Sequence, residues 1–210
     1  MEIFRLKDYQ NKNILIIGNK PIKQLSKEQI DFINSFDIII RINGMNNLNE
    51  TGHRVDWWWL NIWNWNVLKA NIGNKNYTSA KVIFVDAHSE HFSTPQQLFT
   101  HLPNLNKNIL KFNTKWSSID LHTQCHLWKP NASDCTIPTS DVICISYIIT
   151  KFPNTKIYLT CLDIEKRDKL FKSHSNWQHT WHANVGELES EYLQKLMLTN
   201  KIEFINFENK

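Results

Sequence analysis

Short β-branched runs that lack a polar face limit this chain more than any other feature. Ile14 to Ile17, Asp37 to Ile42, Val55 to Leu60, Lys81 to Val85, Lys156 to Thr160 and Ile202 to Ile205 read as strands, and most carry apolar side chains at successive positions rather than at every second one. A strand of that kind has to be covered on both faces, which in practice means a parallel sheet with helices packed on each side. The sequence between the runs supplies the helices. Ser26-Lys-Glu-Gln29 has the spacing of a capping box, and Ile30, Ile33 and Phe36 follow at helical intervals. Pro138-Thr-Ser-Asp141 opens another helical stretch, through Val142, Ile145, Ile148 and Ile149, that leads directly into the run at Ile157. The expected fold is therefore α/β with a mainly parallel sheet, and 210 residues of which 41% are apolar fill one core without needing a second. A single domain over residues 1–210 is predicted, with the polar, aperiodic stretch 163–181 as a lid.

Charge narrows the function classes. Charged residues make up 21% of the chain and the formal net charge is +4, which excludes a nucleic-acid-coating protein and a disordered acidic one. A mild basic excess suits an anionic small-molecule substrate. Cys125, Cys135, Cys144 and Cys161 stand singly, so neither a zinc site of CxxC type nor a disulfide scaffold is expected. The opening residues lack the apolar stretch of a secretory signal and no run of eighteen apolar residues occurs, so a soluble, cytoplasmic protein is expected.

In open α/β sheets ligands bind beyond the carboxyl ends of the strands. Three of the predicted strands deliver an asparagine there: Gly18-Asn19 after the first, Asn43 after the second and Asn61 after the third. A carboxamide donates and accepts without charge, which suits ribose hydroxyls, a base edge and phosphate oxygens, while the same amides are also common turn caps. Gly18 permits a tight turn and close backbone approach, but the surrounding residues are not GxGxxG, so a dinucleotide cofactor is not supported. Thr139 and Ser140, at the start of a predicted helix, offer hydroxyls beside free backbone amides, an arrangement that either holds an anion or caps the helix.

Taken in order, IIGNKPI, FDIIIRINGMNN and TGHRVDWWWLN resemble the amino-terminal motif of sialyltransferases, both the bacterial lipooligosaccharide type and, more loosely, the animal type. There a GN turn, an R-x-N strand end and a G-x-x-x-D segment form the site for CMP-sialic acid. IPTSDVICISYIITKFPNTKIYLTCLDI is similar to the family's second motif, and His182-Ala-Asn-Val-Gly-Glu187 resembles the H-x-x-x-x-E that holds its catalytic histidine. The resemblance implies a Rossmann-like, metal-independent GT-A-variant glycosyltransferase with no cofactor beyond its CMP-sugar donor, and a glycan or lipooligosaccharide as acceptor. It implies that Asn19 and Asn43 contact the nucleotide, that Asn61 lies beside a sugar, and that Thr139 and Ser140 hold the sialic acid carboxylate. His182 would be the general base, a task that imidazole, with a pKa near ~6.5, suits at neutral pH. Glu187 would orient it or complement a helix dipole. Peripheral association with the inner face of a bacterial membrane follows from the same resemblance. The sequence departs from the pattern at Asp141, where the family has glycine, and in the lid, where Lys169, Lys172, His174, Trp177 and His179 replace the tyrosines that steady the leaving phosphate.

Other readings compete. His122 with His126, or His179 with His182, could share a helix face as metal ligands, but no H-E-x-x-H or D-x-D accompanies them. Trp57, Trp58, Trp59, Trp63 and Trp65 could form the stacking platform of a non-catalytic carbohydrate-binding module. Consecutive residues of a strand alternate faces, so at least one of the first three must enter the core, with Trp63 or Trp65 left for an acceptor. Among donors, CMP-Kdo or another CMP-nonulosonic acid shares the carboxylate and the leaving group with CMP-sialic acid.

Overall fold

Seven parallel strands form one sheet in the computed structural model, which describes residues 9–61, 80–86, 108–112, 139–164 and 186–207. Along the chain these are β1 (Asn13–Ile17), α1 (Lys27–Asn34), β2 (Ile38–Ile42), the single turn α2 (Leu48–Thr51), β3 (Trp57–Asn61), β4 (Val82–Asp86), β5 (Asn108–Phe112), α3 (Ser140–Lys151), β6 (Lys156–Thr160), α4 (Gly186–Leu198) and β7 (Ile202–Phe204). All six predicted strands are present, within two residues at each end. The order across the sheet is β5-β4-β3-β2-β1-β6-β7 and every pairing is parallel, so the expectation of a mainly parallel sheet is exceeded. β5 was not foreseen.

The sheet is covered on both faces. Ile14, Ile16, Ile38, Ile40, Ile42, Trp57 and Trp59 pack with Val142, Ile145 and Ile148 of α3 and Leu193 of α4. Leu15, Ile17 and Ile39 point the other way, onto Ile33 beside α1's end-residue neighbour Phe36. The alternation of strand side chains sends consecutive residues to opposite layers, and apolar runs are what that geometry demands. α1 starts as its sequence predicts: the Ser26 hydroxyl accepts from the Gln29 N–H at 3.3 Å and the Ser26 N–H donates to Gln29 Oε1 at 2.9 Å.

All three consecutive tryptophans are in the core. Trp57 is 1% exposed and Trp58 and Trp59 are 0% exposed. Trp59 stacks on Phe84 with ring centroids 5.4 Å apart, and Trp57 meets Phe84 at 5.3 Å and Phe152 at 5.8 Å. Bringing any of them to the surface as a sugar platform would forfeit the burial of a large aromatic side chain, so packing prevails over stacking at these positions. Trp63 and Trp65 lie outside the described residues.

The strand order creates a switch point. From β1 the chain moves outward through β2, β3, β4 and β5, then returns to the other side of β1 as β6. The segment after β1 leads to α1 on one face and the segment after β6 leads to α4 on the other. In open α/β sheets such a divergence marks the carboxyl edge beside it as the side that takes ligands.

Candidate functional site at the carboxyl edge

At that edge the turn after β1 is tied to its neighbours mainly by backbone groups. The Gly18 N–H donates to the Thr160 carbonyl at 3.0 Å and the Lys20 N–H to the Cys161 carbonyl at 2.9 Å. A Cβ on Gly18 would overlap the Cys161 carbonyl oxygen and the Leu162 side chain, reaching Leu162 Cγ at 2.7 Å. The close approach that Gly18 permits is therefore one between two segments of the chain itself. Cys161, with φ of 55°, turns the chain there, and Lys20 Nζ meets Asp163 at 3.0 Å to bind the two segments again.

Asparagines knit this turn to the one after β2. Asn19 Nδ2 donates to the Ile42 carbonyl at 3.0 Å, and its Oδ1 accepts the Asn46 N–H at 3.0 Å. Asn47 Nδ2 donates to the carbonyls of Gly18 at 2.9 Å and Lys20 at 2.8 Å. Asn43 has a φ of 46°, a left-handed conformation that asparagine tolerates better than most side chains. Its N–H donates to the Trp59 carbonyl at 2.8 Å and its own carbonyl accepts Trp58 Nε1–H at 2.8 Å. Turn formation thus occupies part of the Asn19 carboxamide and the backbone N–H and carbonyl of Asn43. In Asn19 one N–H and one oxygen lone pair remain beyond these two bonds.

Behind the turns lies Arg41, 1% exposed, on the face opposite α3. Its guanidinium donates from Nε to the Arg54 carbonyl at 3.0 Å, from Nη1 to Thr51 Oγ1 at 2.8 Å, and from Nη2 to the carbonyls of Thr51 and Gly52. Burial pushes its pKa down to about 10, which still leaves it cationic at neutral pH. Gly52, with φ of 82°, holds a conformation that a side chain would strain. Asp56, which the motif resemblance drew into the donor site, sits before β3 beside the amino-terminal half of β2. There it accepts the Ile39 N–H at 2.9 Å and pairs with Arg54 at 2.7 Å. Its work is structural, at the opposite edge of the sheet from the asparagine turns.

A second unit forms where α3 and α4 begin. Thr139 occupies the N-cap position of α3, yet its hydroxyl makes no cap to that helix. Its N–H donates to Glu189 Oε1 at 2.6 Å and its hydroxyl lies 3.0 Å from both Glu189 oxygens. The carboxylate at this helix start is the chain's own. Ser140 is the first residue of α3 and Asp141 follows in its first turn, where an acid complements the dipole.

The structure thus places Gly18, Asn19 and Asn43 on two adjoining turns and Thr139 with Ser140 at the start of α3. Both lie at the carboxyl edge, since each follows a strand end or starts the helix that returns to the opposite edge. Asn61 ends β3 opposite Asp86 of β4, and its side chain lies outside the description. Glu187 is the second residue of α4, likewise without a described side chain. His182, nearly all of the predicted lid, and His122, His126, His174 and His179 lie outside the described residues. Among the described residues no three His, Cys, Asp or Glu side chains converge as metal ligands, and no helix is long and apolar enough to cross a membrane. Cys144 and Cys161 are buried, and burial pushes the Cys144 thiol well up. Beside the carboxyl ends of β1, β6 and β7 opens a small cleft of about 40 Å³, whose lining includes Lys20, Thr160, Cys161, Asn206 and Phe207.

No family model and no curated protein matches the chain. Among solved structures it is similar to the sialyltransferase CstII from Campylobacter jejuni in complex with CMP-3FNeuAc, at 18% identity over 92% of this chain and 79% of that one, with a TM-score of 0.47. A variant of sialyltransferase Cst-II with CMP gives 18% identity, 92% and 80% coverage and a TM-score of 0.45. CstII from Campylobacter jejuni with cytidine-5'-monophosphate gives 16%, 93%, 79% and 0.44.

Sequence reasoning missed Asn47 and Glu189, and it drew Arg41 into the donor motif without its buried role among Thr51, Gly52 and Arg54. Arg41 carried a signal, because a charge inside a run that is apolar on both faces must find its partners within the protein. Glu189 carried one too, four residues before Leu193 on the stripe that α4 buries. For Asn47 nothing in the spacing set it apart from its asparagine neighbours.

Proposed function

We propose that this chain is an inverting, metal-independent glycosyltransferase that moves sialic acid from CMP-sialic acid to a glycan hydroxyl, with His182 as general base. The reading is supported by the fact that the motif-bearing turns after β1 and β2 and the start of α3 all lie at the carboxyl edge of one parallel sheet, beside its switch point. That is the side on which such sheets take ligands, and the three segments are scattered over more than a hundred residues of sequence. The remaining capacity of the Asn19 carboxamide, together with Asn43, would serve the cytidine nucleotide, Asn61 the sugar, and Ser140 with the positive end of α3 the sugar carboxylate. Thr139, committed to Glu189, would contribute less to that anion than the sequence alone suggested.

In the proposed reaction His182 takes the proton of the acceptor hydroxyl as its oxygen attacks the anomeric carbon. The bond from that carbon to the phosphate oxygen breaks on the other face, and CMP departs with the electron pair. Configuration inverts and no sugar becomes attached to the protein. A glycan or lipooligosaccharide acceptor and peripheral contact with a membrane surface belong to the same proposal. The burial of Trp57, Trp58 and Trp59 counts against a carbohydrate-binding module built on those residues.

The test is release of CMP from CMP-Neu5Ac and from CMP-Kdo, before and after chelation, with affinities for CMP and UDP measured alongside. Turnover that survives chelation and a preference for CMP are expected. Equal affinity for UDP would reject the donor assignment, and release from CMP-Kdo alone would replace the donor sugar.

A further inference from the structure

Two helices that start at the carboxyl edge share one buried carboxylate. Glu189, the fourth residue of α4, is 0% exposed. It receives the Thr139 N–H at 2.6 Å, and the Thr139 hydroxyl reaches both of its oxygens at 3.0 Å. Removing a carboxylate from water costs several kcal/mol unless charge or hydrogen bonds compensate it. Here it stands in the first turn of its own helix and against the N-cap residue of another, so the positive ends of two helix dipoles converge on it. Thr139 leaves its own helix uncapped by its side chain and turns its hydroxyl to this bridge instead. A connection so exposed to desolvation cost is more than a packing accident, because an apolar pair of the same volume would join the helices at lower cost.

We propose that Glu189 is a positioning residue: its bond to Thr139 fixes the start of α4 against the start of α3 at the carboxyl edge. It thereby sets Ser140, to which the proposed function gives the sugar carboxylate, relative to the first turn of α4. The catalytic part of this inference rests on the transferase reading; the bridge does not. A misplacement of about an ångström between reacting groups can cost about 10²-fold in rate, so a positioning bond of this kind should register in turnover rather than in affinity.

The experiment compares Glu189→Ala, Glu189→Gln and Thr139→Val with the wild type, measuring kcat and KM for CMP-Neu5Ac, CMP affinity, and hydrogen exchange. Glu189→Ala should lower kcat per folded molecule about 10- to 100-fold with CMP affinity changed less than about twofold. Glu189→Gln, which keeps an acceptor oxygen for the Thr139 N–H, should recover most of the loss. Adding Thr139→Val to Glu189→Ala should cost little more, since both remove one interaction. A folded Glu189→Ala protein with wild-type kcat overturns the proposal, as does a Glu189→Gln protein no better than the alanine variant. If Glu189→Ala does not fold, Glu189→Gln and Thr139→Val carry the comparison. Should the wild type release no CMP from any donor, it is the transferase reading that fails, and the bridge is judged on exchange alone. Glu189→Ala must then speed exchange of the first-turn amides of α3 and α4, and unchanged exchange refutes the bridge.

Discussion

Replacing Gly18 by alanine tests whether this glycine answers to the protein's own backbone. Its φ is not positive, unlike that of Gly52, so alanine can adopt its conformation and would by itself stabilise by about 0.4–1 kcal/mol through the unfolded state. Space acts the other way. The added methyl overlaps the Cys161 carbonyl oxygen and the Leu162 side chain; the side chain can swing aside, but the carbonyl can move only with the backbone. Overpacking of this kind costs about 1–3 kcal/mol. The shift would also lengthen the bonds Gly18 N–H to Thr160, Lys20 N–H to Cys161 and Asn47 Nδ2 to the Gly18 carbonyl, each worth about 0.5–1.5 kcal/mol. Partial loss of all three brings the net destabilisation to about 2–3 kcal/mol. For a chain of this size that corresponds to a fall in Tm of roughly 4–12 °C. Thermal unfolding followed by circular dichroism measures it. Adding Leu162→Ala should restore only part of the loss, because the carbonyl remains. A Gly18→Ala protein as stable as the wild type, or more stable, would refute the packing argument and leave the turn itself as the only reason for glycine.

Arg41→Met should destabilise by about 2–4 kcal/mol in urea unfolding, since the carbonyls of Thr51, Gly52 and Arg54 lose their donor in a buried place; an unchanged midpoint would mean that water replaces the guanidinium at no cost. If His182 is the general base, His182→Ala should leave CMP affinity nearly intact while lowering kcat by about 10²- to 10⁴-fold, and wild-type kcat should fall with pH as the imidazole takes up a proton. Loss of CMP binding together with normal turnover per folded molecule would assign His182 a structural part.

The strands that form the middle of the sheet were legible because burial on both faces writes itself as uninterrupted apolar runs, as in Ile14 to Ile17 and Ile38 to Ile42. The capping box at Ser26 was legible because both partners of its reciprocal bonds lie within three residues. β5 escaped notice: Asn108-Ile-Leu-Lys-Phe112 is an edge strand with a polar residue at one end and a lysine inside, and its identity depends on pairing with β4. The same division runs through the site. That Gly18, Asn19 and Asn43 close turns at strand ends follows from local chemistry. Which partners their amides take does not, because Asn19 reaches Ile42 and Asn46, and Asn47 reaches Gly18, across more than twenty residues. Thr139 read as a helix cap or an anion ligand because its partner, Glu189, stands fifty residues away. Long-range bonds decide those roles, and a single sequence does not record them.

The position of β1 bears on how the protein comes to be made. β1 pairs with β2 on one side almost at once in sequence, but its other neighbour is β6, whose first residue is Lys156. On a ribosome adding roughly 5–20 residues per second, the second edge of β1 waits on the order of ten seconds for that partner. During that time Ile14, Leu15, Ile16 and Ile17 present unpaired backbone and apolar faces together, the features that draw one nascent chain to another. Closing so distant a pairing is also slow once the chain is free, because loop closure precedes any contact that rewards it. Yield on expression should therefore depend on temperature and chaperone supply more steeply than the stability of the finished sheet would suggest.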